Sequence, residues 1–387
     1  MGRARYGKRR VRNFQKKTFS HGISILSFQV WRLALAGVDA EATAIGEPEH
    51  MSVILAYKNF AANRNISHIG LGVAAINTAK VLRGAAIQTD VWPVISATDL
   101  RQRLKESPAE DVMISAPWIP TLEMQGLSND FPRTRFTVNC HSNVGFLQAD
   151  RNGTRLVREL MELELATANV HLTGNSRRFC DWVRSAFGAP CAYLPNLYYL
   201  DSEAPLPQQP FTGGTLRVGI FGATRPLKNL MSAAGAALEI ARHLRAALEL
   251  WLSAGRAEGG GDGVLAAVRE MLNGLPNVTL KMNGWQTWPS FRKTVGHMHL
   301  LLQPSYTESF NMVTADGIAE GVPSVVSSAI DWAPHDWKAN VDDVLDIARV
   351  GRRLLHDPRA AQDGSRALQA HNADGLHAYK HFLATTR

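Results

Sequence analysis

From Met51 onward, short apolar runs alternate with stretches of helical period, and this alternation limits the fold more than any other feature of the chain. The runs at 52–57, 88–95, 111–115, 135–139 and 170–173 are strand-length and nearly continuous in apolar residues, as strands covered on both faces must be. Between them lie amphipathic segments such as 154–167, TRLVRELMELELAT. A second series has strands at 215–221, 248–253, 277–282, 297–303 and 322–327. The two series are separated by DSEAPLPQQPFTGG, residues 201–214, a Pro-, Gln- and Gly-rich stretch without periodicity that suits an exposed linker.

The expected architecture is therefore α/β: two Rossmann-like, doubly wound parallel-sheet domains facing a cleft. The boundaries read as a basic extension over 1–50, a first domain over 51–200, the linker, a second domain over 215–365 and a helical segment over 366–387. Doubly wound sheets bind ligands beyond the carboxyl ends of their strands, so the chemistry is sought in loops that follow strands.

Composition narrows the class. The chain has 387 residues, 45% of them hydrophobic and 20% charged, which excludes fibrous and disordered classes. Its net charge of +8 is localised: residues 1–17 hold eight of the 42 Lys and Arg and no acid, leaving 34 basic against 34 acidic residues elsewhere. Such a terminus is a solvated arm or a contact for a polyanion, and residues 3–17 are a candidate for nucleic acid. Residues 22–37 are apolar but are interrupted by Arg32 and fall short of the roughly 20 residues a span needs, so no transmembrane segment is expected. Cys140, Cys180 and Cys191 form neither a disulfide framework nor a zinc pattern; no metal is expected, and a reducing, cytoplasmic setting is the default reading.

Three loops carry candidate chemistry. FGATRPLKN follows the strand ending at Phe221; Gly222 frees its backbone, and Arg225 and Lys228 precede a helix, an arrangement that binds phosphate or else is a solvated turn. In PSYTESFNMVTADG, Glu308 precedes a helix expected from Met312 to Glu320. The N–H groups of Ser309, Phe310 and Asn311 could grip hydroxyls and a phosphate beside it, and Asp316, two turns on, could reach a ribose diol. The alternative is that Glu308 only complements the helix dipole and Asp316 faces solvent. NCHSNVGF places His141 at the carboxyl edge of the first sheet, either structural or at the cleft. Trp285 and Trp288 either border a base or pack together.

These segments resemble the retaining, nucleotide-sugar-dependent glycosyltransferases of GT-B fold, the group of glycogen-synthase-like and sucrose-synthase-like enzymes. Their signature has two Glu separated by seven residues; here the pair is Glu308 and Asp316, flanked by matches at Pro304, Ser305, Phe310, Gly321, Pro323 and Val325. GIFGATRPLKN is similar to the group's phosphate-binding loop, LPNLYYLD (194–201) to its domain-end motif, TGNSRRFCDWVRSAFG to a following helix, and IGLGVAAINTAK to its glycine-rich first loop. The likeness spans residues 52–335.

The resemblance implies that Glu308 contacts the donor sugar, Asp316 the ribose, Lys228 the departing diphosphate and His141 the reaction centre. Gly70 and Gly72 would allow close approach on the acceptor side, where Arg64 also lies. It implies no metal and no cofactor beyond a nucleotide diphosphate sugar, most simply a UDP-sugar, with retention at the anomeric carbon. Three positions depart from the pattern: Asp316 is shorter than Glu, Ala223 stands where relatives carry Arg, and Asn311 where most carry Gly.

The expected acceptor is a saccharide or cell-surface glycan. Relatives in bacterial viruses that glycosylate hydroxymethylated DNA make 5-hydroxymethylcytosine an alternative that suits the basic arm. Two readings come from other classes. GLGVAA with Asp90 partly matches a dinucleotide fingerprint, which would make the chain an NAD-dependent oxidoreductase, although the glycines come about a dozen residues after the strand rather than directly. The other is a non-catalytic nucleic-acid or nucleotide-binding protein.

Overall fold

The computed structural model describes residues 52–59, 69–202, 206–208, 210–284 and 286–385, all within one compact unit, His50–Arg387. The basic segment, the apolar run at 22–37, Arg64 and Trp285 lie outside the described residues.

The first sheet holds β1 (Ser52–Lys58), β2 (Gln88–Val94), β3 (Asp111–Ser115), β4 (Arg135–Cys140), β5 (Val170–Gly174) and β6 (Ala192–Tyr193), in the order β2-β1-β3-β4-β5-β6. The second holds β7 (Thr215–Ile220), β8 (Ala247–Ser253), β9 (Val278–Asn283), β10 (Leu300–Gln303) and β11 (Ser324–Val326), in the order β11-β10-β7-β8-β9. Every ladder is parallel. The continuous apolar runs follow from this: β3 and β4 are buried at every position, because helices cover both faces.

Both orders are doubly wound. In the second sheet the winding reverses between β7 and β10, and the loops following these two strands diverge there to leave a crevice. Those are the loops that carry Gly222, Arg225 and Lys228 on one side and Glu308 on the other.

The helices obey the same covering logic. The segment Arg151–Ala166 buries Val157, Leu160 and Met161, spaced three and four apart, and turns its arginines outward. Ile69–Gly84 (α1) contains both Gly70 and Gly72, so these glycines sit in the first turns of a helix rather than in the expected loop. Residues 59–68 separate that helix from β1, and Asp90 is within edge strand β2, beside Arg83. A dinucleotide turn joining strand directly to helix is not formed there.

The chain ends in one long helix, Ala360–Thr385, so the boundary expected at 365 falls inside a continuous element. Leu368 belongs to the core of the second sheet, whereas Tyr379, Phe382 and Leu383 pack with Val53, Leu55 and Met113 of the first. Arg135, ion-paired to Asp111, donates to the carbonyls of Phe382 and Leu383 and holds the helix's last turn against the amino ends of β3 and β4.

Candidate active site

The loop after β7 turns at Gly222, whose φ of +109° is a conformation that L side chains rarely adopt. It then forms a short 3-10 turn, Pro226–Lys228, closed by Asn229. Asn229 Nδ2 donates to the carbonyls of Pro304 (3.1 Å) and Val341 (2.9 Å), and Tyr306 N donates to Leu227 O (2.9 Å). The loops after β7 and β10 are therefore fastened together, and this fixes Lys228 opposite Glu308.

Lys228 Nζ donates to Glu308 Oε1 at 2.5 Å, with side chains 13% and 10% exposed. Burial pushes the Glu308 carboxyl up, but the Lys228 ammonium in contact with it and the Arg225 charge outweigh it and hold the group below its ordinary value. Glu308 is thus a largely enclosed carboxylate in direct contact with Lys228, not a solvated partner of a helix dipole.

Asn311 explains one departure from the family pattern. Its φ is +69°, which Asn tolerates better than other non-glycine residues. In that pose its Oδ1 caps the helix Met312–Ala319 by accepting from Thr314 N (2.9 Å), while Nδ2 donates to Glu308 Oε1 (3.1 Å) and Gln303 Oε1 (3.2 Å). A glycine would supply the conformation without these bonds.

Across the crevice, His141 follows β4 and the next residues enter a short helical turn capped by Asn143. His141, Ser142, Asn143 and Phe146 enclose a cavity of about 120 Å³ with Arg225, Lys228, Thr307, Glu308 and Ser309. The Arg225 guanidinium lies 5.5 Å from the centre of the Phe146 ring, and Asn175 Nδ2 donates to Ser309 Oγ at 3.4 Å, so the two sheets' loops meet here. Burial lowers the His141 pKa to about 4, leaving the imidazole neutral at physiological pH.

A second cavity, about 200 Å³, opens beside the first. Gly222, Ala223, Ser253, Arg256, Trp288 and Asp316 line it, and Gly70 joins them from the first half of the chain. Gly70, expected on the acceptor side, thus lines the same cavity as Gly222, Trp288 and Asp316, residues expected on the donor side. Gly72 lies instead against the Tyr57 ring, where a Cβ would approach to 3.0 Å.

Two residues of this segment are fixed by buried side-chain contacts. The Phe310 side chain points into the core, stacked on Trp332 (5.1 Å between centroids) and beside His371, so only its backbone is available to a ligand. Asp316 is 2% exposed rather than solvent-facing, and its Oδ1 accepts from both Tyr198 Oη (2.7 Å) and Trp288 Nε1 (2.9 Å). Burial still dominates and raises its pKa to about 6.

Sequence reasoning did not single out Arg256, Glu258, Phe146 or Tyr198. A readable signal existed for the first two: SAGRAEGGG directly follows β8 and places charged residues among glycines at a carboxyl edge. A wider cavity of about 880 Å³ lies at the amino ends of β3 and β4, around Asp111 and Arg135, away from all of these loops. Among the described residues, no group of three or more His, Cys, Asp or Glu is placed to hold a metal, and no helix is long and apolar enough to cross a membrane.

Residues 150–330 match a family model described as GT4-conflict, Family 4 Glycosyltransferase in conflict systems. Similar solved structures share the fold at low identity. The sucrose-phosphate synthase of Thermosynechococcus elongatus has a TM-score of 0.58 at 14% identity, with 86% of this chain and 98% of that chain covered. Anabaena HepE, solved with UDP and glucose, has a TM-score of 0.58 at 11% identity, with 87% and 99% covered. A TarM mutant from S. aureus, solved with fondaparinux, alpha-GlcNAc-glycerol and UDP, has a TM-score of 0.54 at 14% identity; 73% of this chain is covered, and it spans only 58% of that one. No curated protein matches the chain.

Proposed function

We propose that the chain is a glycosyltransferase of GT-B fold and that it moves a hexose from a UDP-sugar to a hydroxyl of a saccharide or glycan acceptor, with retention of configuration. The observation that carries this reading is the Lys228–Glu308 pair at the β7/β10 switch point, facing His141 across a cavity that adjoins a second, larger one. UDP as the nucleotude is supported by its presence in the TarM and HepE structures.

In this reading the nucleoside enters the larger cavity and the hexose the smaller. Glu308, ionised and fixed by Lys228 and Asn311, accepts hydrogen bonds from sugar hydroxyls. Neutral His141 offers a hydrogen bond to the sugar without placing a second charge beside the anomeric centre. Lys228 and Arg225 stabilise the charge that develops on the departing diphosphate, the kind of preorganised electrostatics that typically contributes a factor of about 10²–10³ per group. Glu308 is the one carboxylate among the described residues lining the smaller cavity, and it is held by Lys228. A double displacement through a second carboxylate has no candidate there, which favours a course in which the leaving phosphate accepts the acceptor's proton on the same face.

The test is incubation with UDP-hexoses and oligosaccharide acceptors, read by mass spectrometry and by NMR of the new anomeric linkage. A hexose mass gain with the donor's configuration is expected; an inverted linkage removes the retaining course. A second reading, transfer to hydroxymethylated bases in DNA, is favoured by the eight Lys and Arg in residues 1–17. A hexose gain on 5-hydroxymethylcytosine DNA and none on saccharides would select it.

A further inference from the structure

The cation array at the junction of the two cavities includes a residue from a different loop. After β8 the chain runs Ser253-Ala254-Gly255-Arg256-Ala257-Glu258, and this loop is fastened to the one after β7. Thr224 N donates to Arg256 O (2.9 Å), and Glu258 N donates to Thr224 O (2.8 Å). Thr224 and Ala257 pair as an isolated parallel bridge. Thr224 Oγ1 donates to Ser253 O (3.0 Å), and Gly222 N donates to Ser253 Oγ (3.1 Å). Gly261 permits the approach, since a Cβ there would stand 2.0 Å from Thr224 O. Arg256 is thus positioned by the same framework that positions Arg225 and Lys228.

Glu258 orients the two guanidiniums. It lies 3.4 Å from Arg225 Nε and is ion-paired to Arg256. Arg225 faces the smaller cavity and Arg256 the larger, and the two cavities meet where a Cβ on Gly222 would lie 3.6 Å from Lys228 Nζ. Burial and the neighbouring Arg225 lower the Arg256 pKa to about 10, so it remains charged, with the Glu258 carboxylate between the two guanidiniums. Ala223, on the same wall, supplies no charge.

We propose that the Arg256 guanidinium donates hydrogen bonds to the diphosphate of the nucleotide donor, forming with Arg225 and Lys228 a three-cation clamp whose third member comes from the β8 loop. A nucleoside in the larger cavity and a hexose in the smaller place the diphosphate at this junction, so the inference rests on the donor reading above. Guanidinium suits the role because its planar fork meets two phosphate oxygens at once.

The test is calorimetric titration of the full chain with UDP and with inorganic pyrophosphate, alongside ligand-observed NMR titration with uridine. Arg256→Gln is expected to weaken UDP and pyrophosphate at least tenfold and to leave uridine within twofold of wild type. Adding Ala223→Arg to that variant, which returns a guanidinium to the same wall, is expected to recover most of the loss. Arg256→Lys keeps the charge and guards against misfolding of the Gln variant; weaker pyrophosphate binding than wild type is expected, and equality overturns a guanidinium contact. UDP binding by Arg256→Gln within twofold of wild type, or an equal loss for uridine, overturns the inference alone. A wild-type chain that binds neither UDP nor pyrophosphate removes the donor reading and this inference with it.

Discussion

At the Glu308 carboxylate, burial and neighbouring charge oppose one another, and charge prevails because Lys228 is in direct contact. A neutral isostere there keeps the packing but removes the charge that Lys228 and the sugar hydroxyls meet. Glu308→Gln is therefore expected to lower transfer at least a hundredfold while far-UV circular dichroism is unchanged; retained transfer would take Glu308 out of the site. Asp316 titrates in the opposite sense. Its folded pKa of about 6 lies above the ordinary 3.8, so folding binds a proton that the unfolded chain releases, and stability falls as pH rises from about 4 to 6. Asp316→Asn keeps an oxygen to accept from Tyr198 and Trp288 but carries no charge. Its melting temperature is expected to match wild type near pH 4 and to exceed it at pH 8, where the stability difference is on the order of 3 kcal/mol. Equal melting temperatures at both pH values would contradict the raised pKa. Glu308, Lys228 and His141 were readable because each follows a strand end or sits in a recognisable motif. The inward turn of Phe310 and the double hydrogen bond on Asp316 were not, since both depend on Trp332, His371, Tyr198 and Trp288, which come from other segments of the chain.

At the scale of elements, the strands were legible because parallel strands buried on both faces leave uninterrupted apolar runs. Their ends were less so. The run expected over 297–303 becomes β10 only from Leu300, because His297 N and Met298 N still donate to Thr294 O and Val295 O and close the preceding helix, Trp288–Gly296. Likewise Val322 N bonds Gly317 O and Ser327 Oγ bonds Ser305 O, which shortens the last strand to Ser324–Val326. The fastening of the β7 and β8 loops left no apolar pattern to read; it lies in single contacts such as Thr224 against Gly261. Gly261→Ala drives a methyl group into the Thr224 carbonyl and is expected to destabilise the chain by about 2 kcal/mol or more and to weaken UDP binding with it. Chemical denaturation of that variant checks the first effect and calorimetry the second; wild-type values for both would mean the loops are not held as described.

Over the whole molecule, the two-sheet plan was legible from the alternation and its break at 201–214, but the strand orders and the path of the last helix were not. Amphipathic spacing shows that a helix has an apolar face, not which sheet that face covers. Ala360–Thr385 joins both: Leu368 enters one core, while Tyr379, Phe382 and Leu383 enter the other. Ending the chain at His371 would expose the apolar residues of β1 and β3 that those three side chains cover. The truncated protein is expected to lose its cooperative melt and become sensitive to limited proteolysis within residues 52–140, and a wild-type melting curve would show that the helix is dispensable. The claim on which the functional account stands is that the crevice between the sheets binds a nucleoside diphosphate. Its most direct test is the melting temperature of the full chain with saturating UDP, with NAD, and with UDP added to Lys228→Gln. At a hundredfold excess over Kd, a specific ligand adds about 2.7 kcal/mol. A rise of several degrees with UDP, none with NAD, and loss of the UDP effect in Lys228→Gln are expected; a rise with NAD alone, or the same UDP effect in the variant, would contradict nucleoside diphosphate binding in the crevice.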